Sequence, residues 1–173
     1  MRPGDILKAM HDQTPVQIAW VTPDLAATEN ALTSLLGAKK WIRMRGVHFG
    51  PDTCTFRGRP ADFVADISLS YVGDMQLELI APVSGESIYT EFLDRAGAGL
   101  HHICVEAKTV EAFDAALRDA ERQGAAVVQR GVMAGGMRFA YVSAEHAGVP
   151  YLEIAHIPDE IRAFFDYVKQ EQQ

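Results

Sequence analysis

Compact and alternating hydrophobic runs in the first half of the chain predict a regular order of strands and helices. The run from Val16 to Val21 is short and apolar, with β-branched and aromatic members, as is typical of a strand. The apolar spacing from Leu25 to Leu36 predicts a helix, with Asp24 as its N-cap and Gly37 at its end. Three further strands are predicted at 40–44, 63–71 and 75–80, a helix at 87–96, and a short helix around 6–10.

The second half repeats this order. A strand is predicted over 100–106, followed by a helix that Thr109 caps and that ends near Arg122 and Gly124. Three more strands are predicted at 125–130, 138–143 and 149–155. Beyond Pro158, apolar residues at helical spacing predict an amphipathic C-terminal helix in the segment 158–173.

Each half therefore has the order β-α-β-β-β, which indicates an internal duplication. Identical residues at matching places support it: Ile18 and Ile103, Leu32 and Leu117, Leu77 and Leu152, and Glu78 and Glu153. We predict an α+β fold in which residues 1–157 form one domain of two tandem βαβββ modules, 15–82 and 99–157, joined by the linker helix 87–96. The modules are expected to form a curved, barrel-like mixed sheet around a cleft, with the helices outside.

Side chains alternate between the two faces of a strand. In the first and the last strand of each module, this alternation places one polar residue on the same face. If the leucines beside them pack under the helices, then Gln17, Glu78, His102 and Glu153 point into the concave face. A single glutamate on a strand is usually solvent-facing and a single histidine is usually structural. Four such residues at matching places instead indicate a shared site. One imidazole and three oxygen donors suit a divalent cation of borderline hardness.

One further histidine and the two cysteines are expected to have packing roles. His101 alternates to the face opposite His102 and is expected to be a buried packing residue. Cys54 and Cys104 lie in no recognisable nucleophile motif, so packing is favoured for both. Two cysteines also make no disulfide framework, which is typical of a reducing cytosol.

Composition narrows the classes of partner. The formal charge of −7 argues against nucleic acid or an anionic membrane as the main partner. No apolar run approaches the ~18 residues that a membrane-spanning helix needs. The N-terminal residues lack an apolar signal core, so a cytoplasmic location is expected. A small molecule is therefore the expected partner.

The order of elements and several motifs resemble the vicinal-oxygen-chelate superfamily, which includes glyoxalase I, methylmalonyl-CoA epimerase, extradiol dioxygenases and antibiotic-resistance proteins. The most specific resemblance, to the epimerases, lies in Gln76–Pro82 (QLELIAP) and Ala98–Ile103 (AGLHHI). The glycine-rich loop around Gly135 and Gly136 is also similar. The likeness extends over about residues 15–157.

The resemblance implies metal ligands at Gln17, Glu78, His102 and Glu153, holding Zn, Ni, Co, Mn or Fe. Histidine is usual in epimerases at the place of Gln17, whereas a Gln, Glu, His, Glu set resembles eukaryotic glyoxalase I. The second acid-base carboxylate of the epimerases is expected near Asp66. The resemblance also implies a homodimer.

The expected activity is a metal-dependent isomerase or epimerase that removes a proton next to a carbonyl, with an acyl-CoA thioester as one candidate substrate. Glu153 is the expected base and Asp66 its partner. A glyoxalase I-like lactoylglutathione lyase and a metal-free protein that binds a small molecule or drug are the alternatives. Extradiol dioxygenase chemistry fits less well, since it normally uses two histidines. The roles of the 46–60 loop and of the C-terminal helix remain open at this point.

Overall fold

The computed structural model describes residues 14–173. This range contains ten strands and four α-helices. The short helix predicted around residues 6–10 lies outside this range. The helices are α1 (Leu25–Leu36), α2 (Ile88–Ala96), α3 (Val110–Arg122) and α4 (Asp159–Gln170). The strands of the first half are β1 (Pro15–Val21), β2 (Ile42–Phe49), β3 (Cys54–Phe56), β4 (Arg59–Pro60), β5 (Phe63–Val72) and β6 (Met75–Ser84). Those of the second half are β7 (Gly99–Glu106), β8 (Val127–Val132), β9 (Arg138–Ser143) and β10 (Tyr151–His156).

All ten strands belong to one mixed, curled sheet in the order β2-β5-β6-β1-β7-β10-β9-β8-β3-β4. At its centre β1 and β7, the opening strands of the two modules, pair antiparallel. Each is flanked by the last long strand of its own module in parallel, β6 beside β1 and β10 beside β7. The predicted α+β class with a curved mixed sheet is confirmed.

The helices begin and end where the sequence places caps. Asp24 Oδ1 accepts a hydrogen bond from Ala27 N at 3.0 Å, which satisfies one of the free amides at the start of α1. Thr109 Oγ1 does the same for Ala112 N at the start of α3. Gly37 ends α1 with φ +81°, a left-handed conformation that favours glycine.

Strands extend further than the sequence predicts in two places. Within 46–60, strand β2 continues to Phe49, and the small hairpin β3-β4 follows. This hairpin crosses over to pair with β8 of the second module, so that Thr55 lies opposite Arg130. The strand predicted at 75–80 also continues beyond its expected end. Strand β6 runs through Pro82 to Ser84, and Val83 lies at an irregularity in its pairing with β5.

Hydrophobic side chains occupy both faces of the sheet. On the outer face Leu79 packs with leucines of α1, and Ile154 packs with Phe113 and Leu117 of α3. The concave face carries a larger cluster rich in aromatic rings, which includes Phe49, Phe63, Tyr89, Phe139 and Tyr141. The concave face is thus mainly an apolar interior.

The C-terminal helix α4 lies against this concave face. Its Val168 is fully buried, and Phe164 and Phe165 pack on the same cluster. Ion pairs from Arg162 to Glu106 and from Lys169 to Asp74 connect its two ends to the sheet. Of the two segments whose roles were open, α4 is therefore the one that covers the cleft.

The glycine-rich loop between β8 and β9 contacts the start of α4. Gly135 has φ +87°, and a Cβ atom at this position would lie 2.8 Å from Ile161 Cδ1. A side chain here would push the helix away from the loop, which explains the glycine. Within residues 14–173, no helix is long and apolar enough to span a membrane.

Candidate metal centre

Four polar side chains from four strands meet at one point of the concave face. His102 Nε2 lies 3.2 Å from Gln17 Oε1. The same nitrogen lies 3.4 Å from Glu78 Oε2 and 3.3 Å from Glu153 Oε2. Gln17, His102 and Glu153 are almost completely buried, and the side chain of Glu78 is 13% exposed. The residues that the sequence placed at matching positions are thus in contact.

Strand pairing explains why these side chains converge. Glu78 and Glu153 lie on β6 and β10, which flank the central strands carrying Gln17 and His102. Leu79 and Ile154 follow the two glutamates and pack under α1 and α3. Because side chains alternate between faces, each glutamate then points to the concave side.

The amide of Gln17 is oriented by its neighbours. Gln17 Nε2 donates a hydrogen bond to Gln76 Oε1 at 2.6 Å. Gln76 Nε2 in turn donates to Tyr71 OH at 3.0 Å. Since the nitrogen of Gln17 is engaged, its oxygen is the atom left to face His102.

A β-bulge places His101 on the same side as His102. Ala19 pairs with His102 and the next residue of β1 pairs with Leu100, so His101 has no residue opposite it. A bulge interrupts the alternation of side chains. The Nδ1 atoms of His101 and His102 consequently lie 2.8 Å apart. The predicted opposite face of His101 was wrong for this reason, whereas its burial is confirmed.

The contact between the two histidines fixes the proton on His102. Burial, together with the charge of His102, lowers the pKa of His101 to about 2, so its ring is neutral and can accept a hydrogen bond. Since the pKa of His102 is raised to about 9, both of its ring nitrogens carry hydrogens in the metal-free protein, and Nδ1–H donates to His101 Nδ1. This leaves Nε2 of His102 directed at the three oxygen donors, the arrangement that metal-binding histidines commonly show.

The cluster combines buried charges of both signs. Burial raises the pKa of Glu78, and the nearby charge of Glu153 adds to this effect. Burial also opposes charging of His102, but hydrogen bonds and charges from the two glutamates outweigh it and raise its pKa to about 9. For Glu153 the contacts with His102, and lesser ones with Tyr141 and Cys104, outweigh burial and lower the pKa.

The donor atoms fit a divalent cation. Ligands bound at about 2.1 Å are separated from one another by about 3.0–3.4 Å, and the contacts of His102 Nε2 lie in this range. One imidazole, two carboxylates and one amide oxygen suit Zn, Ni, Co, Mn or Fe. The two carboxylates also match the charge of such an ion. The side chains therefore suit the metal that the sequence predicted.

Asp66 does not lie in this cluster. It occurs on β5 between Ile67, which lines the cleft, and Ala65, so alternation turns Asp66 to the other face. Its Oδ1 accepts a hydrogen bond from Gly46 N at 2.7 Å, and Oδ2 lies 3.4 Å from Arg45 Nη1. The prediction that Asp66 is a second acid-base group in the cleft is corrected accordingly.

Residues that the sequence did not assign to the cluster complete the site. Tyr141 and Cys104 contact Glu153, with 3.4 Å between Cys104 Sγ and Glu153 Oε1. Tyr89 OH lies 2.6 Å from Tyr141 OH. Alternation along β9, where Phe139 and Tyr141 share a face, was the available signal for Tyr141. Tyr89 comes from α2, and no pattern in the sequence directs this helix residue to the site.

Beside the cluster the concave face encloses a cavity of about 90 Å³. Gln17, Glu78 and Glu153 form one wall of this cavity. Ile161, Phe164 and Phe165 of α4 form the opposite, apolar side. The candidate metal centre therefore lies at the wall of a partly covered binding space.

Comparison with known proteins places this architecture among solved structures. The chain is similar to methylmalonyl-CoA epimerase from Mycobacterium tuberculosis, with a TM-score of 0.58 and 20% identity over 86% of this chain and 91% of that one. A hypothetical protein from Bacillus halodurans C-125 gives a TM-score of 0.57 and 19% identity over 86% and 96%. A Streptomyces coelicolor methylmalonyl-CoA epimerase in complex with 2-nitronate-propionyl-CoA gives 0.51 and 19% over 84% and 98%. At these identities the likeness shows the fold alone.

Sequence comparison identifies the family. A search of curated proteins found no match. The sequence profile of the glyoxalase/bleomycin resistance protein/dioxygenase superfamily matches residues 16–141, which is more than half of the chain. The matched range begins within β1, ends within β9 and includes three of the four cluster residues, Gln17, Glu78 and His102. The chain therefore belongs to the glyoxalase/bleomycin resistance protein/dioxygenase superfamily, in agreement with the resemblance noted in its sequence.

Proposed function

We propose that this protein is a metal-dependent isomerase or epimerase that moves a proton at a carbon next to a carbonyl group. The observation that carries the proposal is the convergence of three oxygen donors on His102 Nε2 at 3.2–3.4 Å. A bound divalent cation would polarise the carbonyl oxygen of a substrate and so acidify the neighbouring C–H bond. Membership of the superfamily is consistent with this chemistry.

In this proposal Gln17, Glu78, His102 and Glu153 hold the metal. Glu153 is also the leading base, because it lines the cavity and is held in place by Tyr141 and Cys104. It would take the proton from the substrate carbon and return it to the same or a neighbouring carbon. The aromatic and aliphatic walls would exclude water from the exchanging proton.

The number of active carboxylates distinguishes two reaction types. A single base that carries the proton between carbons gives a glyoxalase-like isomerisation, whereas two bases give epimerisation at one carbon. With Asp66 on the outer face, Glu78 is the other carboxylate that lines the cavity. The proposal therefore assigns any second acid-base role to Glu78.

Proton exchange in deuterated water tests the proposal. The metal-loaded protein is incubated with candidate α-hydroxy ketones, hemithioacetals of methylglyoxal and acyl-CoA thioesters, and deuterium uptake at the α-carbon is followed by NMR. Glu153→Gln should abolish exchange while the protein stays folded, and the exposed Glu86→Gln should exchange like the wild type. Exchange that persists in the Glu153 variant would remove this residue from the role, and no exchange with any substrate would refute the activity.

A metal-free binding protein is the second candidate function. It is supported by α4, which covers the cavity, and by His102, whose raised pKa lets a proton balance the glutamates without a metal. Elemental analysis after purification without chelators separates the two functions. A protein that contains no metal, and takes up no nickel, cobalt or zinc, would be assigned to binding.

The proposal also includes a substrate class, an oligomeric state and a location in the cell. An acyl-CoA thioester and a glutathione adduct are the two substrates implied by the resemblance, and the exchange screen includes both classes. A homodimer is proposed on the same ground and is tested by light scattering coupled to gel filtration. The cytoplasmic location is tested by cell fractionation.

A further inference from the structure

Away from the cluster, the walls of the cavity are apolar. Strands of the first module contribute Met44, Ile67 and Leu69, and the loop after β8 contributes Met133. Phe164 and Phe165 of α4 lie across from them. No lysine or arginine occurs among the described residues that line this space.

Two arginines next to lining residues, Arg43 and Arg162, are engaged by carboxylates. Arg43, which precedes Met44, makes two hydrogen bonds of 2.8 and 2.7 Å to Glu29. Arg162, which follows Ile161, pairs with Glu106. A carboxylate or phosphate on the part of a substrate that lies away from the cluster would thus enter an apolar space, in which no described lining residue is a lysine or arginine that could compensate its charge.

The size of the cavity and its cover also limit the substrate. Its volume of about 90 Å³ is several times the ~10–15 Å³ that a cavity needs in order to hold one water. A short alkyl or compact ring group fits such a space. Phe164 and Phe165 of α4 cover part of this space.

From these observations, and resting on the proposed function, we infer that the substrate is a small carbonyl compound with a neutral apolar tail. The carbonyl group of the substrate lies beside the cluster of Gln17, Glu78 and Glu153, and the tail lies against Met44, Ile67 and Phe164. No CoA, glutathione or phosphate group is needed for recognition. The apolar wall and its helical cover thereby select the substrate.

Two matched hydroxamates test the selection without turnover. Butanohydroxamate and succinic monohydroxamate share a chelating head and a four-carbon chain, but only the second ends in a carboxylate. Their affinities for the full-length, zinc-loaded protein are measured by isothermal titration calorimetry. Butanohydroxamate should bind at least about tenfold more tightly. Equal affinities, or tighter binding of the succinyl compound, would overturn the inference.

A charge placed on the cover provides a second test. Phe164→Arg puts a cation at the half-buried position that lines the cavity, and should reduce the preference for the alkyl compound about fivefold or more. Ala163→Arg adds the same charge at an exposed position of the same helix and should leave the preference unchanged. An equal change in both variants would contradict selection by the cavity. If Phe164→Arg fails to fold, the wild-type comparison still decides.

The same titrations in chelator-treated protein separate this inference from the proposed function. If the chelator-treated protein keeps the preference for the alkyl tail, and the metal-loaded protein shows no proton exchange, the apolar site is supported and the isomerase is refuted. Exchange on an acyl-CoA thioester, together with equal affinity for the two hydroxamates, would support the isomerase and refute the inferred substrate class. If neither hydroxamate binds either form, the inferred selection is refuted.

Discussion

Replacing Glu78 by glutamine should stabilise the metal-free protein while weakening metal binding. In the absence of a metal, one imidazolium at His102 faces two carboxylates, so the buried cluster keeps an excess negative charge. Burial raises the pKa of Glu78, which means that its charged form is disfavoured in the folded state. An amide removes this charge and leaves the pair of His102 and Glu153 balanced.

The expected gain follows from the cost of buried charge. Replacing the buried carboxylate of Glu78 with a neutral amide of similar shape is expected to stabilise the fold by about 1–2 kcal/mol. For a chain of this length that corresponds to a rise in Tm of about 2–8 °C. Because the raised pKa belongs to the folded state, wild-type stability is lost as pH rises above the unfolded value of about 4.3, and the gain of the variant grows over the same range. Metal affinity should fall at least about tenfold.

Thermal denaturation in the presence of EDTA, followed by circular dichroism at pH values from 4 to 7, measures this effect. Glu86→Gln removes a charge from an exposed side chain and serves as the matched control, with little expected change. A metal-free Glu78→Gln protein with a lower Tm than the wild type at pH 7 would refute the reasoning. It would show that the carboxylate of Glu78 contributes more to holding His102 than its burial costs.

Three further predictions concern Gln76 and His102 at the cluster and Glu29 on α1. Gln76→Leu removes the acceptor that orients Gln17, and should lower zinc affinity about tenfold in competition with a chromogenic chelator; unchanged affinity would contradict this orienting role. The pKa of His102 is raised to about 9, so the metal-free protein should lose stability in urea denaturation as pH rises from about 6.5 through 9. In a zinc-loaded sample the metal replaces the proton on His102, and this loss should not occur. Glu29→Gln should cost about 1–2 kcal/mol in urea denaturation at pH 7, since Glu29 is buried and hydrogen-bonded to Arg43. The pKa of Glu29 is lowered, so this difference should disappear as pH falls below about 4.5, and a pH-independent difference would contradict the assignment.

Local signals in the sequence predicted most of the elements and the convergence of the cluster. Asp24, Gly37 and Thr109 satisfy helix ends with their own side chain or backbone, so these boundaries follow from neighbouring residues. Alternation along single strands was enough to direct Glu78 and Glu153 to one face. Both kinds of signal depend on short stretches of chain.

The features that sequence reasoning missed depend on pairing between distant segments. The bulge at His101 exists only in relation to β1, and it turns that side chain to the inner face. The hairpin within 46–60 forms part of the sheet because β8 lies beside it. Asp66 was assigned by a gapped resemblance, and its place on β5 turned it away. Neither pairing could be inferred from residues adjacent to it.

The crossing hairpin β3-β4 has a consequence for synthesis of the chain. When only the first module has emerged from the ribosome, β1 lacks β7 on one side and β3 lacks β8, so two strand edges are left without partners. Such edges favour association with other chains. The two halves therefore depend on each other during folding, and a chain that stops before β7 is expected to aggregate instead of forming a stable half-protein.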